Sequence, residues 1–283
     1  NKLRAAMSAG TPITFAVPFG GYKNYQANSF PDPDWAEVFN INYLVRYLIP
    51  LAYVYAPGAI IQYTYSSGVM DKVSNLPKSA PLQYMDKFQS LLSFFEAQTA
   101  NIRLEAVDIA AFYENGEMDR ELVRNYEDNK TLWNQKFPAD EREKRINSAR
   151  RNLMRVGEVD MSGLTADEWD ARCLDAAMWC EALDSLTHRR NFNKHSGNIQ
   201  LVFVRGPSKS IHVGSCETSA HHFWAGSGVG EKRKDRLMPR ILSEGKLSAF
   251  ADEGRVTTFF PPALDMLSAI SPVYQNIRVL ALD

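Results

Sequence analysis

His212, Cys216, His221 and His222 crowd into the segment HVGSCETSAHH, and Trp224 lies two residues beyond it. Side chains of these types support three chemistries. Imidazole and thiolate are metal ligands, but the spacing matches no zinc pattern, and neither CxxC nor HExxH is present. A thiol activated by an imidazole is a nucleophile. Closeness in sequence does not set Cys216 beside a base, however, so Cys216 reads as a structural thiol. The third chemistry, which we favour, is proton transfer or hydrogen bonding by His221 or His222 in a transferase or lyase pocket. The plain alternative is that these histidines are satisfied polar groups beside a buried Trp224.

Two other stretches could handle an anion. The run HRRNFNKH places Arg189, Arg190 and Lys194 at the end of a helical pattern. Cations are favoured at a helix C-terminus in any case, and the same groups would form a lip for phosphate or carboxylate. Gly226, Gly228 and Gly230 read as a loop ahead of a helix over 232–243, where free amides and a helix N-terminus favour an anion. The run satisfies neither GxxxxGK[ST] nor GxGxxG, and a plain loop remains the alternative.

The elements that must position these groups are legible by periodicity. Residues 1–12 read as a polar lead-in and 13–19 as a strand, followed by a Gly20-Gly21 loop that carries Lys23 and Tyr25. Asp34 and Glu37 form a capping box that starts a helix, with Val38, Ile41, Leu44, Val45 and Leu48 at helical spacing until Pro50 kinks or ends it. Residues 59–66 are a second strand, with Ile61, Tyr63 and Tyr65 on one face. Strand, helix, strand is a βαβ unit, which prefers parallel pairing. A helix over 82–101, a strand over 103–110 and charged helices over 118–156 follow. Thr165 and Glu168 cap a further helix to 186, and strands follow at 199–205, 210–213, 256–260 and 277–282. The expected fold is α/β: one domain over 1–283 with a Rossmann-like, mostly parallel sheet flanked by helices and a helical insertion over 115–195.

Bulk properties narrow the partners. The 283 residues are 45% hydrophobic and 23% charged with a net charge of −1, ordinary for a globular protein, with no field to attract nucleic acid or a membrane. The three cysteines form no CxxC pair, which favours thiols in a reducing, cytoplasmic setting. The longest apolar run, 44–55, is broken by Arg46 and Pro50 and is too short to span a bilayer. No signal-peptide pattern opens the chain, and its first residue is Asn, so a preceding piece is expected. Oligomeric state is not readable.

An ordered set of short motifs over 13–70 resembles the isocyanide synthase family, the Dit1/PvcA group of dityrosine and isonitrile biosynthesis. Pro18-Phe19 followed by Lys23-Asn24 is similar to its phenylalanine–lysine loop. Pro33-Asp34-Trp35-Ala36-Glu37 resembles its PDxAE helix start, Tyr55-Ala56-Pro57-Gly58-Ala59 its Y-x-PGA motif, and Ser66-Ser67-Gly68 its SDG turn. Arg189–Lys194, the strand 199–205 and Thr218–His222 match less closely. Ser67 stands where the family has aspartate, and TSAHH where it has a TPWH-like sequence. The resemblance implies a Rossmann-like enzyme without metal or other cofactor. In it an amino acid amine condenses with the ketone of a sugar phosphate, and the adduct fragments to an isonitrile. On this reading His221, His222 and Lys23 are catalytic. Arg189, Arg190, Lys194, Gly226 and Gly228 bind phosphate. Tyr63, Tyr65 and Trp224 line an aromatic slot, and Ser67 and Thr218 belong to the substrate site. The competing readings are a nucleotide- or sugar-phosphate-dependent group transferase and a non-catalytic ligand-binding protein of the same fold.

Overall fold

The computed structural model describes residues 1–66, 68–74, 76, 79–156, 163–187, 199–202, 211–212, 220–234, 236–260 and 265–281; for 155, 156, 200, 202, 211, 212 and 220–222 it describes the backbone alone. The chain divides into two compact units. One comprises Asn1–Tyr65, Ala80–Val107 and Gly197–Asp283; the other comprises Ser66–Ser79 and Asp108–Ser196. The helical unit thus also takes in the 66–79 segment, which local pattern alone did not separate from the first strands.

The first unit is mixed α/β. Strands β1 (Ile13–Pro18), β2 (Ala59–Tyr65), β3 (Ile102–Asp108), β4 (Ile199–Val202) and β5 (Ile211–His212) form a sheet of order β3-β2-β1-β4-β5. The pairs β1–β2, β1–β4 and β4–β5 are parallel, with Phe15 opposite both Ile61 and Ile199. Ile13, Phe15, Ala16 and Val17 are all buried, so β1 is covered on both faces, as a central parallel strand requires. Helix α2 (Trp35–Val54) supplies Val38, Ile41, Leu44, Val45 and Leu48 to this core, and α4 (Ser79–Glu96) supplies Tyr84, Phe88, Leu91 and Leu92. Each such side chain contributes on the order of 1.5–3 kcal/mol on burial.

Several expectations are corrected. Residues 2–9 form helix α1 rather than a polar lead-in, and Gly10 closes it in the left-handed conformation (φ 64°). Helix α2 continues through Pro50 to Val54. The segment expected as loop and helix over 226–243 is instead an antiparallel hairpin, β6 (Ser227–Arg233) and β7 (Arg236–Leu242), turning at Lys234 with φ 54°. The helix α8 begins only at Glu244 and ends at Asp252. The hairpin joins β8 (Val256–Phe259) and β9 (Ile277–Ala281) in a mixed sheet of order β7-β6-β9-β8, with helix α9 at Asp265–Ile270. Val229, Leu242, Leu247 and Leu280 form its core.

The second unit contains α3 (Met70–Val73), α5 (Glu117–Lys136), α6 (Ala139–Val156) and α7 (Ala166–Asp184), the last started by the Thr165–Glu168 capping box. The charged α6 turns only a narrow stripe inward: Ala149 and Leu153 pack with Trp133, Trp169 and Cys173. Cys173 and Cys180 are free thiols. No helix among the described residues is long and apolar enough to cross a membrane.

Candidate functional site

The N-terminus of α2 is where the first unit is tied together. Asp34 caps the helix, accepting from Ala36 N at 2.7 Å, and Glu37 accepts from Asp34 N at 2.7 Å, completing the capping box. Such a box usually sits in solvent. Here both carboxylates are buried, and Lys23 is buried with them. The Lys23 ammonium lies 3.1 Å from Asp34 Oδ1 and 3.0 Å from Glu37 Oε2, and donates to the Phe223 carbonyl at 3.3 Å. The Tyr84 hydroxyl donates to Glu37 Oε1 at 3.0 Å, and the amide of Gly228 to Asp34 Oδ1 at 3.2 Å. One turn of helix thereby holds the loop after β1, helix α4, the 3-10 turn Ala220–Ala225 and strand β6.

The loop after β1 and the 3-10 turn are laced together beyond Lys23. Asn24 N donates to Trp224 O at 2.8 Å and Asn24 Nδ2 to Ala225 O at 3.0 Å. Gly20 lies so close to the indole that a Cβ there would stand 2.5 Å from Trp224 Nε1. The loop follows the carboxyl end of β1, and the turn packs on it there, at the edge where open parallel sheets bind ligands. An aromatic cluster backs it: Phe19 stacks on Phe223 at 5.7 Å and meets Tyr63, Tyr65 and Trp224 edge-on at 5.7–6.1 Å.

The expected site residues fall into three groups. Lys23, Tyr65 and Trp224 gather at this edge; Tyr65 and Trp224 are half-buried, whereas the Lys23 charge is spent on Asp34 and Glu37 and does not face a ligand. Tyr63 is enclosed and donates to Asn40 Oδ1 at 3.0 Å, so it is a wall of the core rather than of an open slot. Gly226 leads into β6 and Gly228 lies within it; the Gly228 amide is held by Asp34 instead of being free for phosphate. The backbone of His221 and His222 lies in the 3-10 turn beside Lys23's acceptor, Phe223. Ser67, Arg189, Arg190, Lys194, Cys216 and Thr218 lie outside the described residues. Sequence reasoning missed Tyr84 and the union of Asp34 and Glu37 with Lys23. The only local signal was a lysine just after a Gly-Gly pair and a capping box.

Electrostatics follow from the burial. Burial pushes the Glu37 carboxyl up to about 8 against the pull of the Lys23 charge, and the Asp34 charge adds to the rise. Burial alone would lower the Lys23 ammonium, but Asp34 and Glu37 outweigh it and hold it above its ordinary value. Lys23 therefore stays charged, and Glu37 carries the titration. Between the unfolded carboxyl's value near 4.5 and about 8, the folded chain keeps a proton that the unfolded chain has released. Stability from this group is full below that window and is lost as pH rises through it. Melting the parent and Glu37→Gln from pH 5.5 to 8.5 should show the parent weakening with pH and the variant nearly flat across the interval. Equal slopes would refute the assignment.

No protein-family model matches the sequence, and no curated protein matches it. Among solved structures, the crystal structure of the PvcA protein from Pseudomonas aeruginosa superposes with a TM-score of 0.66 at 16% identity, covering 99% of this chain and 89% of that one. The chain has a distant PvcA-like fold.

Proposed function

We propose that a protein with this fold and these motifs is a biosynthetic enzyme of the isocyanide-synthase kind. In the proposed reaction an amino acid amine attacks the ketone of a sugar phosphate and water leaves. Both carbon–carbon bonds of the former carbonyl carbon then break. One leaves its electron pair on that carbon, and the other sends its pair away on the leaving fragment. This carbon therefore stays on nitrogen at its original oxidation level. The observation that carries this reading is the joining of two motifs that resemble the family's. The phenylalanine–lysine loop and the PDxAE helix start meet in one buried cluster, at the sheet edge where a substrate would sit. On this reading Lys23 is a positioning residue that fixes the 3-10 turn carrying His221 and His222. Those histidines move the protons of condensation and fragmentation. Tyr65 and Trp224 offer an apolar wall for an aromatic substrate. The transferase alternative is weakened by the hairpin, since its glycine loop is a strand.

The test is incubation of the purified chain with tyrosine or tryptophan and ribulose 5-phosphate, read by mass spectrometry. The expected product is the amino acid with its two amine hydrogens replaced by one carbon. A chain that leaves both amino acids untouched, yet is raised in melting temperature by nucleotides, would favour the group-transferase reading instead.

A further inference from the structure

Helix α2 carries a second stripe that the core does not use. Its inward stripe is Val38, Ile41, Val45 and Leu48; a neighbouring one presents Phe39, Tyr43, Arg46 and Tyr47 at helical spacing. Across from it, β7 offers Met238, Pro239 and Ile241, and between them lies a cavity of about 420 Å³, within the range of small-molecule sites. We propose that this cavity binds a small aromatic carboxylic acid that carries no ammonium group.

The walls select an aromatic body. The rings of Tyr43 and Tyr47 lie nearly parallel, with centroids 6.5 Å apart and an interplanar angle of 21°, and Phe39 extends the surface. The charges select the head group. Arg240 is paired with the buried Glu231, whereas Arg46 has no ion-pair partner among the described residues and is left as the open cation of the lining. A guanidinium of that kind matches a carboxylate. Among the described residues, no aspartate or glutamate lines the cavity; the Asn40 side-chain oxygen already accepts from the Tyr63 hydroxyl, and Asn42 offers only a neutral amide. An ammonium group would therefore lose its water for no counter-charge. The site thus disfavours the amino acids of the proposed reaction and stands independently of that reading.

Titration calorimetry of the full chain with 2-naphthoate, its methyl ester, octanoate, 3-phenylpropionate and L-phenylalanine tests this. Both aromatic acids should bind, with phenylalanine at least about tenfold weaker than phenylpropionate. Arg46→Gln should weaken naphthoate about tenfold and leave the ester unchanged, and added salt should reproduce part of that loss. Tyr47→Ala, at a residue 47% exposed and so tolerant of change, should weaken acid and ester alike. The proposal is overturned by any one of several results. These are no saturable binding of the aromatic acids, an Arg46→Gln variant as tight as the parent, or octanoate binding more tightly than naphthoate. A dimer that excludes naphthoate and is lost in Tyr47→Ala would also overturn it, because the face would then serve a second copy.

Discussion

Lys23→Met is expected to cost about 3–5 kcal/mol of folding stability, the range for removing one partner of a buried ion pair. The methionine fills much of the volume, so the loss is electrostatic rather than a cavity effect. Asp34 and Glu37 would remain buried within reach of each other without the ammonium that lies 3.1 and 3.0 Å from them. The Phe223 carbonyl would lose its donor as well. Asp34 keeps its bonds from Ala36 N and Gly228 N, and Glu37 those from Asp34 N and Tyr84, which keeps the cost finite. Glu37 keeps its proton below about 8, so adding Glu37→Gln to Lys23→Met should change little at neutral pH. Only well above that value should it recover part of the loss, by removing an uncompensated charge, a coupling that a double-mutant cycle reads directly. Urea unfolding of the four proteins gives the numbers; a Lys23→Met cost below about 1 kcal/mol would show that the cluster is more hydrated than its burial implies.

The same cluster explains what sequence could and could not supply. The capping box of α2 was readable because its partners, Asp34 and Glu37, are three residues apart and the geometry is local. Strands β1 and β2 were readable because their apolar runs must be buried on both faces of a parallel sheet. Lys23 was misjudged as a cation facing a ligand because its partners lie across the tertiary structure: Glu37 is 14 residues away and Phe223 is 200. The β6–β7 hairpin was misread because Leu237 and Ile241 fall four apart, a helical spacing. The contrary signal was Pro239, which a helix interior resists and an edge strand such as β7 accepts. Helix α1 was missed because it is only eight residues long and buries none of them fully, so Leu3, Ala6 and Met7 give barely two turns of pattern; Gly10 at its end was the cue.

The motifs that suggested a reaction are thus, in good part, motifs of assembly. A loop, a helix, a 3-10 turn and a strand of the second sheet converge on the first turn of α2, and the close approach of β6 is the tightest of these contacts. Gly228→Ala should accordingly be among the most damaging single substitutions in the chain. Its added Cβ would stand 2.2 Å from Ala36 N and 2.3 Å from Trp35 C, atoms of the α2 backbone that cannot rotate aside. Relief requires β6 to withdraw from the helix, which breaks the Gly228 amide bond to Asp34 Oδ1 and opens the burial of Lys23. The expected loss exceeds about 4 kcal/mol, the exceptional end of single-substitution effects, so a soluble folded variant is expected only at low temperature, if at all. Gly230→Ala on the same strand is the control: its Cβ would first meet Leu237 Cδ2 at 3.3 Å, the movable end of a side chain. That change should stay within about 1 kcal/mol, because overpacking is costly only where neighbours cannot yield. Paired thermal melts of the two variants decide the matter, and equal effects would mean that strand conformation, not the approach of β6 to the helix, sets the need for glycine.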